Sequence, residues 1–268
     1  MTIRDAMLEH VTELMRETAA SEIMPRFRQL RDDEIMEKSP GEVVTVADRA
    51  AEARLIQGLR KLIPAARFVA EETWNLGTTD FDTLAETDAV WVVDPLDGTR
   101  NFAAGQTTFA VMVALLHRGE TVASWIHAPA DEWTVVAQTG AGTYLNGERL
   151  HVSEHTTLGT MHGAIHDHFM PPELRQHVAT AVSSIGQSST TGCAAHEYVA
   201  IARASKDFAL YYRTLPWDHA PGALIVQEAG GVVLHYDGQP FYPLQATSGL
   251  LAASSREAWD ALSALFVS

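Results

Sequence analysis

The chain has 268 residues, 46% of them apolar, and a formal net charge of −15. That length suits one large core or two moderate ones. So much negative charge argues against nucleic acid polymers and anionic membranes as partners. The single cysteine, Cys193, excludes an internal disulfide and fits a reducing compartment. The opening run MTIRDAMLEHVTELMRE lacks the apolar segment of a secretory signal. No apolar run approaches the ~18 residues needed to cross a bilayer. A soluble cytoplasmic protein is the expectation.

In chain order, Ile3, Met7, Val11, Leu14 and Met15 recur at helical spacing, which predicts one amphipathic helix over about residues 3 to 30. Residues 32 to 41 are charged, end in Ser39-Pro40-Gly41 and read as a loop. Ala51, Leu55, Leu59 and Leu62 mark a second helix that stops before Pro64. Arg67 to Ala70 reads as a short strand running into Glu71-Glu72, and Ala89 to Val93 as a buried strand running into Asp94. Strands over 109–117, 121–127 and 133–138, then an Asn146-Gly147 hairpin signal, predict an antiparallel meander. Beyond it, β and α segments alternate. Strands are expected near 161–165, 208–212, 232–235 and 250–253, and helices over 172–183, 193–204, 217–229 and 256–266. The change of pattern places a boundary between an N-terminal part, 1–148, and a C-terminal part, 149–268. No Pro/Ser-rich linker separates them, so the halves are expected to pack tightly.

The segment WVVDPLDGTRNF, residues 91–102, carries the chemistry. Pro95 biases Asp94 toward extended backbone, so Asp94 and Asp97 can face one space at a strand end. Two like charges there are costly without a cation between them. Asp97 could equally cap a short helix starting at Gly98. The two readings are compatible, because backbone N–H groups of Gly98 and Thr99 at a helix start would favour an anion. Glu71-Glu72 could be a solvated turn, and Asp218, after Pro216-Trp217, another helix cap. Thr45 and Asp48 have capping-box spacing for the second helix. Carboxylate and carbonyl oxygens are ligands for a hard cation such as Mg²⁺. HExxH, paired CxxC, GxxxxGK[ST] and GxSxG are all absent, so zinc protease, P-loop and serine hydrolase readings lack support.

DPLDGTRNF at 94–102 and PWDHAPGALIVQEAGG at 216–231 together resemble the inositol monophosphatase family of metal-dependent, lithium-sensitive phosphatases. VTVAD at 44–48, VAEET at 69–73 and GTYLNG at 142–147 match further family motifs in the same order. The resemblance implies an α+β fold, the layered αβαβα sandwich shared with fructose-1,6-bisphosphatase, and a homodimer. It implies that Glu71, Asp94 and the Leu96 carbonyl hold one Mg²⁺, that Asp94, Asp97 and Asp218 hold a second, and that a third sits loosely near Glu71. It further implies phosphate binding by Gly98 and Thr99 backbone N–H groups, with Thr99, assisted by Asp48 or Glu71, orienting the attacking water. Gly192, Cys193 and Ala194 correspond to the substrate-facing backbone.

Departures from the family pattern lie on the substrate side. Tyr211 stands where inositol-preferring relatives carry a glutamate, and Ser189 where they carry an arginine. Arg213 could face an acidic group of the substrate, or be a solvated loop residue. Cys193 reads as a packed residue rather than a nucleophile. Pro221 is expected in the first turn of a helix beginning near Asp218, where proline is tolerated. The expected activity is Mg²⁺-dependent hydrolysis of a small phosphomonoester, inositol monophosphate or a related sugar phosphate. The alternatives are histidinol phosphate, fructose-1,6-bisphosphate or a 3′-nucleotide as substrate, or a catalytically silent metabolite- or partner-binding regulator.

Overall fold

The first helix loses its regular geometry at Ala19, and Pro25 ends it one turn later. The computed structural model describes residues 3–39, 42–74, 81–245 and 247–267. In it α1 (Asp5–Thr18) passes into a π turn over Ala19–Ile23 and a 3₁₀ turn over Met24–Arg26, not one α-helix to residue 30. Pro25 has no N–H to donate one turn back, and Arg28 turns the chain with a φ of 60°. The inward stripe survives these changes, since Val11, Met15, Ala19 and Ile23 are all buried. The loop expected over 32–41 is also corrected. Ile35–Ser39 forms β1, paired antiparallel with β2 (Glu42–Thr45). The charged Glu37-Lys38 breaks the alternation that would have betrayed a strand. Pro40-Gly41 lies outside the described residues.

The helix α2 (Val46–Leu62) starts with the capping box that Thr45 and Asp48 suggest. Thr45 Oγ1 accepts from Ala47 N–H at 3.1 Å, and Asp48 accepts from Thr45 N–H at 2.8 Å. Next come β3 (Arg67–Ala70), α3 (Phe81–Ala85), β4 (Val90–Asp97), α4 (Thr99–Ala103), β5 (Ala110–His117), β6 (Glu120–Ala128), β7 (Trp133–Gln138), β8 (Gly142–Leu145) and β9 (Glu148–Arg149). They build a seven-stranded sheet in the order β3-β4-β5-β6-β7-β8-β9. β3 and β4 are parallel, and the others form the antiparallel meander. The β4–β5 register shifts between Asp94 and Asp97, so the strand bulges where its carboxylates lie.

The C-terminal half contributes β10 (His162–His166), α5 (Pro172–Ala181), β11 (Gln187–Ser188), α6 (Ala194–Ala202), β12 (Phe208–Tyr211), α7 (Pro216–Glu228), β13 (Val232–His235), β14 (Leu250–Ala253) and α8 (Arg256–Phe266). Its sheet has the order β11-β10-β12-β14-β13.

Side-chain alternation stacks these parts in five layers. Trp91 and Val93 of β4 pack with Ala51, Leu55 and Leu59 of α2 and with α1. Val90 and Val92, on the opposite face, pack with Trp217 and Ala220 of α7. The second sheet repeats this division. Ala209, Tyr211 and Ala252 meet Tyr198 and Ile201 of α6 and Ala223 and Val226 of α7. Phe208, Leu210 and Leu251 meet Val178 of α5 and Trp259, Leu262 and Phe266 of α8. The result is an αβαβα sandwich with α6 and α7 as its middle layer. α7 is apolar all round because both of its sides are covered. Pro221 lies inside α7 rather than in its first turn, since the helix begins at Pro216. Among the described residues no helix is long and apolar enough to cross a membrane.

Candidate active site

A cavity of about 510 Å³ opens where β3 and β4 end, against the N-termini of α6 and α7. Glu71, Asp94, Leu96, Asp97, Gly98, Thr99 and Asp218 all border it. Glu71 directly follows β3 and is tied to its neighbour strand by Glu71 N–H donating to Val93 O at 3.1 Å. Asp94 Oδ1 accepts from Leu96 N–H at 3.0 Å, closing a short side-chain turn across Pro95. Gly98 then takes a φ of 83°, and a Cβ there would stand 2.9 Å from Thr108 O and 3.2 Å from Cys193 Cβ. Only glycine lets the chain turn into α4 at this point. Asp97 does not cap α4. Its Oδ2 instead accepts from Ala195 N–H at 2.6 Å and Cys193 Sγ–H at 2.9 Å, at the start of α6. Asp218 does not cap α7 either, because Leu215 holds that place.

The electrostatics of the cavity are dominated by negative charge. Burial, then repulsion by Glu71, Asp97 and Asp218, holds the Asp94 carboxyl well above its usual range. Asp218 is raised in the same way, by burial and then by Glu71 and Asp97, with Arg213 opposing. Asp97 is pushed up to about 6, chiefly by burial, although its hydrogen bonds from Ala195 and Cys193 work the other way. On the outer side Lys38 reaches Glu71 at 3.1 Å and also pairs with Glu72. Among the described residues no three Asp, Glu, His or Cys side chains are drawn into a closed metal cluster. The donor set still fits a hard divalent cation. Asp94, Asp97 and Asp218 are oxygen donors facing one cavity, raised by burial and by one another's charge, and a bound cation would relieve both effects.

Asp48 stands behind this wall, fully buried. Its Oδ1 accepts from Thr99 Oγ1 at 2.9 Å, and its Oδ2 accepts from Thr45 Oγ1 at 2.6 Å. Burial raises it to about 6. The capping-box carboxylate of α2 is therefore also the partner of the Thr99 hydroxyl, one side chain serving both roles.

The substrate side is more varied. Gly192, Ala194, Tyr211 and Arg213 border the cavity. Cys193 does not; its thiol is buried, turned onto Asp97 and held well above its ordinary pKa by burial, which makes it a packed donor rather than a nucleophile. Tyr211 is buried, stacked on His166 with ring centroids 4.7 Å apart. Arg213, in the link between β12 and α7, is half-buried. It pairs with Glu42 and its guanidinium lies 3.9 Å from the centre of the Phe169 ring. Ser189 lies outside the cavity, its hydroxyl 2.8 Å from His162 Nε2. Sequence reasoning missed Lys38, Glu42, His166 and Phe169, all of which border the site. They sit in short, irregular or charged segments without a periodic signal. His219, noted only for its place after Asp218, does border the cavity, and burial pushes it down to about 3. The neutral ring gives its Nε2–H to Arg213 O at 2.8 Å and takes a hydrogen bond from Tyr198 at Nδ1 at 2.9 Å.

Comparison with known proteins agrees with this arrangement. The model of the inositol monophosphatase family matches residues 4–267. The chloroplastic phosphatase IMPL1 of Arabidopsis thaliana is 33% identical over 256 residues, which is 90% of this chain and 65% of that protein, so the chain spans just under two thirds of its length. A fructose-1,6-bisphosphatase/inositol-1-monophosphatase of Thermotoga maritima is 31% identical over 206 residues, 76% of each chain. The crystal structure of the extragenic suppressor protein suhB from Bartonella henselae superposes with a TM-score of 0.86 at 25% identity, covering 98% of this chain and 99% of that one. Matched along nearly its whole length and sharing the layered fold, this chain belongs to the inositol monophosphatase family, a family of phosphomonoester hydrolases.

Proposed function

We propose that the protein hydrolyses a small phosphomonoester with the help of Mg²⁺, inositol monophosphate or a related sugar phosphate being the favoured substrates. The observation that carries the reading is the convergence of buried Asp94 and half-buried Asp97 and Asp218, mutually repelling, on the cavity that Thr99 also borders. Glu71, Asp94, the Leu96 carbonyl, Asp97 and Asp218 would hold two or three Mg²⁺, which supply positive charge for the phosphate and lower the pKa of a bound water. The residues of the chain do the positioning. Thr99 Oγ1 has one proton and two acceptors within 2.9 Å, Asp48 Oδ1 and Leu96 O. With its proton held there, its outward lone pair accepts from the attacking water. Asp48, raised to about 6, is placed to receive a proton relayed through that hydroxyl. Gly98, Thr99, Gly192 and Ala194 border the cavity; the first two would offer backbone N–H groups to the phosphate, and the last two would face the leaving group.

Tyr211 in place of a carboxylate gives that wall one neutral phenol oxygen, a weaker acceptor for substrate hydroxyls than a carboxylate, which favours a broad preference over strict selection of inositol. A homodimer, lithium inhibition and a cytoplasmic location belong to the same proposal. Retention of every expected carboxylate speaks against a catalytically silent regulator.

The experiment is phosphate release from a panel of inositol, sugar, histidinol and nucleotide phosphates, with Mg²⁺ and with chelator, for the wild type and Asp94→Asn. Mg²⁺-dependent turnover of at least one ester, cut below about a tenth in Asp94→Asn because an amide is a poor ligand for a hard cation, is the expected result. Turnover that persists in chelator would overturn the metal assignment. No turnover of any ester would overturn the hydrolase reading.

A further inference from the structure

We infer that a buried ion pair outside the carboxylate cluster, Glu197 with Lys206, is the positioning device of the substrate-facing backbone, and that it sets substrate affinity rather than turnover. The inference rests on the phosphatase reading for its kinetic part. Glu197 lies in the first turn of α6 and has no exposed surface, and Lys206, in the link to β12, is 6% exposed. The two side chains pair directly. Each also reaches back to the strand of chain that leads into Gly192. Glu197 Oε1 accepts from Thr191 N–H at 2.5 Å and from Thr191 Oγ1 at 2.9 Å, and Lys206 Nζ donates to Ser189 O at 2.7 Å. From the other side Asn101, in α4, donates to Thr191 O at 2.9 Å.

Ser189 is also held to β10, its N–H donating to Gly163 O at 3.0 Å and its hydroxyl lying 2.8 Å from His162 Nε2, whereas Thr191 and Gly192 add only local bonds, Thr191 Oγ1 to Cys193 O at 3.2 Å and Gly192 N–H to Thr190 Oγ1 at 3.1 Å. The segment follows the two-residue strand β11 and reaches Gly192, which has a φ of 72°. Thr191 and Gly192 are exposed on their outer side. Gly192 and Ala194 nevertheless border the cavity. An apolar core at position 197 would cover the segment but could not orient its N–H and C=O groups. A carboxylate and an ammonium can, because each has hydrogen-bonding capacity left after pairing. A buried pair of this kind brings little net stability, so its contribution is orientation.

Catalysis is expected to be insulated from the pair. Asp97 is anchored by Ala195 N–H, which belongs to α6 itself, and by Cys193, not by Glu197. Removing the pair therefore loosens contacts made equally in the ground and transition states. Loss of uniform binding raises KM and leaves kcat nearly unchanged.

The test uses Glu197→Ala and the double variant Glu197→Leu/Lys206→Met, which removes the Thr191 acceptor and leaves no unpaired buried charge. Two measurements are made on the full chain, at a temperature where each variant is folded. The first is steady-state kinetics on the best ester of the panel. KM is expected to rise about tenfold or more, with kcat within about threefold of wild type, in both variants. The second is amide hydrogen exchange with no substrate present. Protection is expected to fall in residues 189–193 while β12 and the C-terminal turns of α6 keep theirs. An unchanged KM, or kcat falling as far as KM rises, overturns the affinity role. Unchanged exchange in 189–193 overturns the positioning role even if the chain proves to hydrolyse none of the esters.

Discussion

Thr99 shows how much one hydroxyl can carry. It borders the cavity, gives its proton to Asp48 or to Leu96 O, and begins α4. Thr99→Ala keeps the backbone N–H groups proposed for phosphate and loses only the water-orienting oxygen. We expect kcat to fall about a hundredfold, the low end of what a positioned proton-transfer group contributes, with KM within a few-fold of wild type. An unchanged kcat with a raised KM would move Thr99 from catalysis to binding. Titration supplies a second residue-scale test. Asp48 and Asp97 have folded pKa values raised from 3.8 to about 6, and Glu72 from 4.5 to about 7 by burial. A raised pKa means that the folded state holds the proton more tightly than the unfolded state. The stabilisation from these groups is fully present below about pH 4 and is lost as pH rises through 6 to 7. Of these three only Asp97 is a proposed Mg²⁺ ligand, but Asp94 and Asp218 are raised in the same direction, so protons and cation compete for the ligand oxygens. Adding Mg²⁺ should therefore raise Tm more at pH 8 than at pH 5, measured by thermal melts with and without chelator. An equal or larger rise at pH 5 would remove these carboxylates from the cation site.

At the scale of elements, α7 is the most constrained segment. It is covered by the seven-stranded sheet on one side and the five-stranded sheet on the other, and it carries Asp218 in its first turn. Its contact with α6 is closest at Gly222, where a Cβ would stand 2.1 Å from Tyr198 Cδ2. The ring of Tyr198 is itself buried and tied to His219, so it has nowhere to retreat. Gly222→Ala should destabilise the protein by about 2 kcal/mol, the usual cost of overpacking a filled core, even though alanine is the better helix former. Urea unfolding measures it, and a variant as stable as wild type would show that α6 and α7 separate easily. The carboxylate-bearing elements were legible in sequence because strand ends and helix starts announce themselves. Val90–Val93 is a continuous apolar run that stops at Asp94, and the Thr45–Asp48 spacing marks the start of α2. β1 was not legible. Among the described residues Ile35–Ser39 pairs with β2 alone, and its Glu37-Lys38 follows no apolar alternation, yet it brings Lys38 to Glu71 and Glu72.

For the whole molecule, the five layers share one middle. α6 and α7 complete the core of the first sheet with Ala195, Val199 and Ile225, and that of the second with Tyr198, Ile201 and Val226. The N-terminal part, 1–148, and the C-terminal part, 149–268, are proposed as structural halves, yet neither sheet can cover its inner face without those helices. Denaturation should then be a single cooperative transition. Tryptophan fluorescence, which reports Trp74, Trp91, Trp125 and Trp133 in one half and Trp217 and Trp259 in the other, and far-UV circular dichroism should give coincident curves. Two resolved transitions would mean that the halves fold independently.

By itself the sequence determined the family, the order and kind of the longer helices and strands, though not β1, β2, α3 or β11, and the carboxylates at the ends of β3 and β4 and in the first turn of α7. Those features are written locally, in periodicity and in motifs whose residues are adjacent in the chain. The tertiary structure decided the partners. Only it turns Asp97 onto the start of α6, selects Asp48 rather than Glu71 as the partner of the Thr99 hydroxyl, stacks Arg213 on Phe169, and closes Glu197 and Lys206 over Ser189 and Thr191. Side chains that meet through packing leave no spacing rule in a single sequence, because the distance between them along the chain is set by everything folded in between.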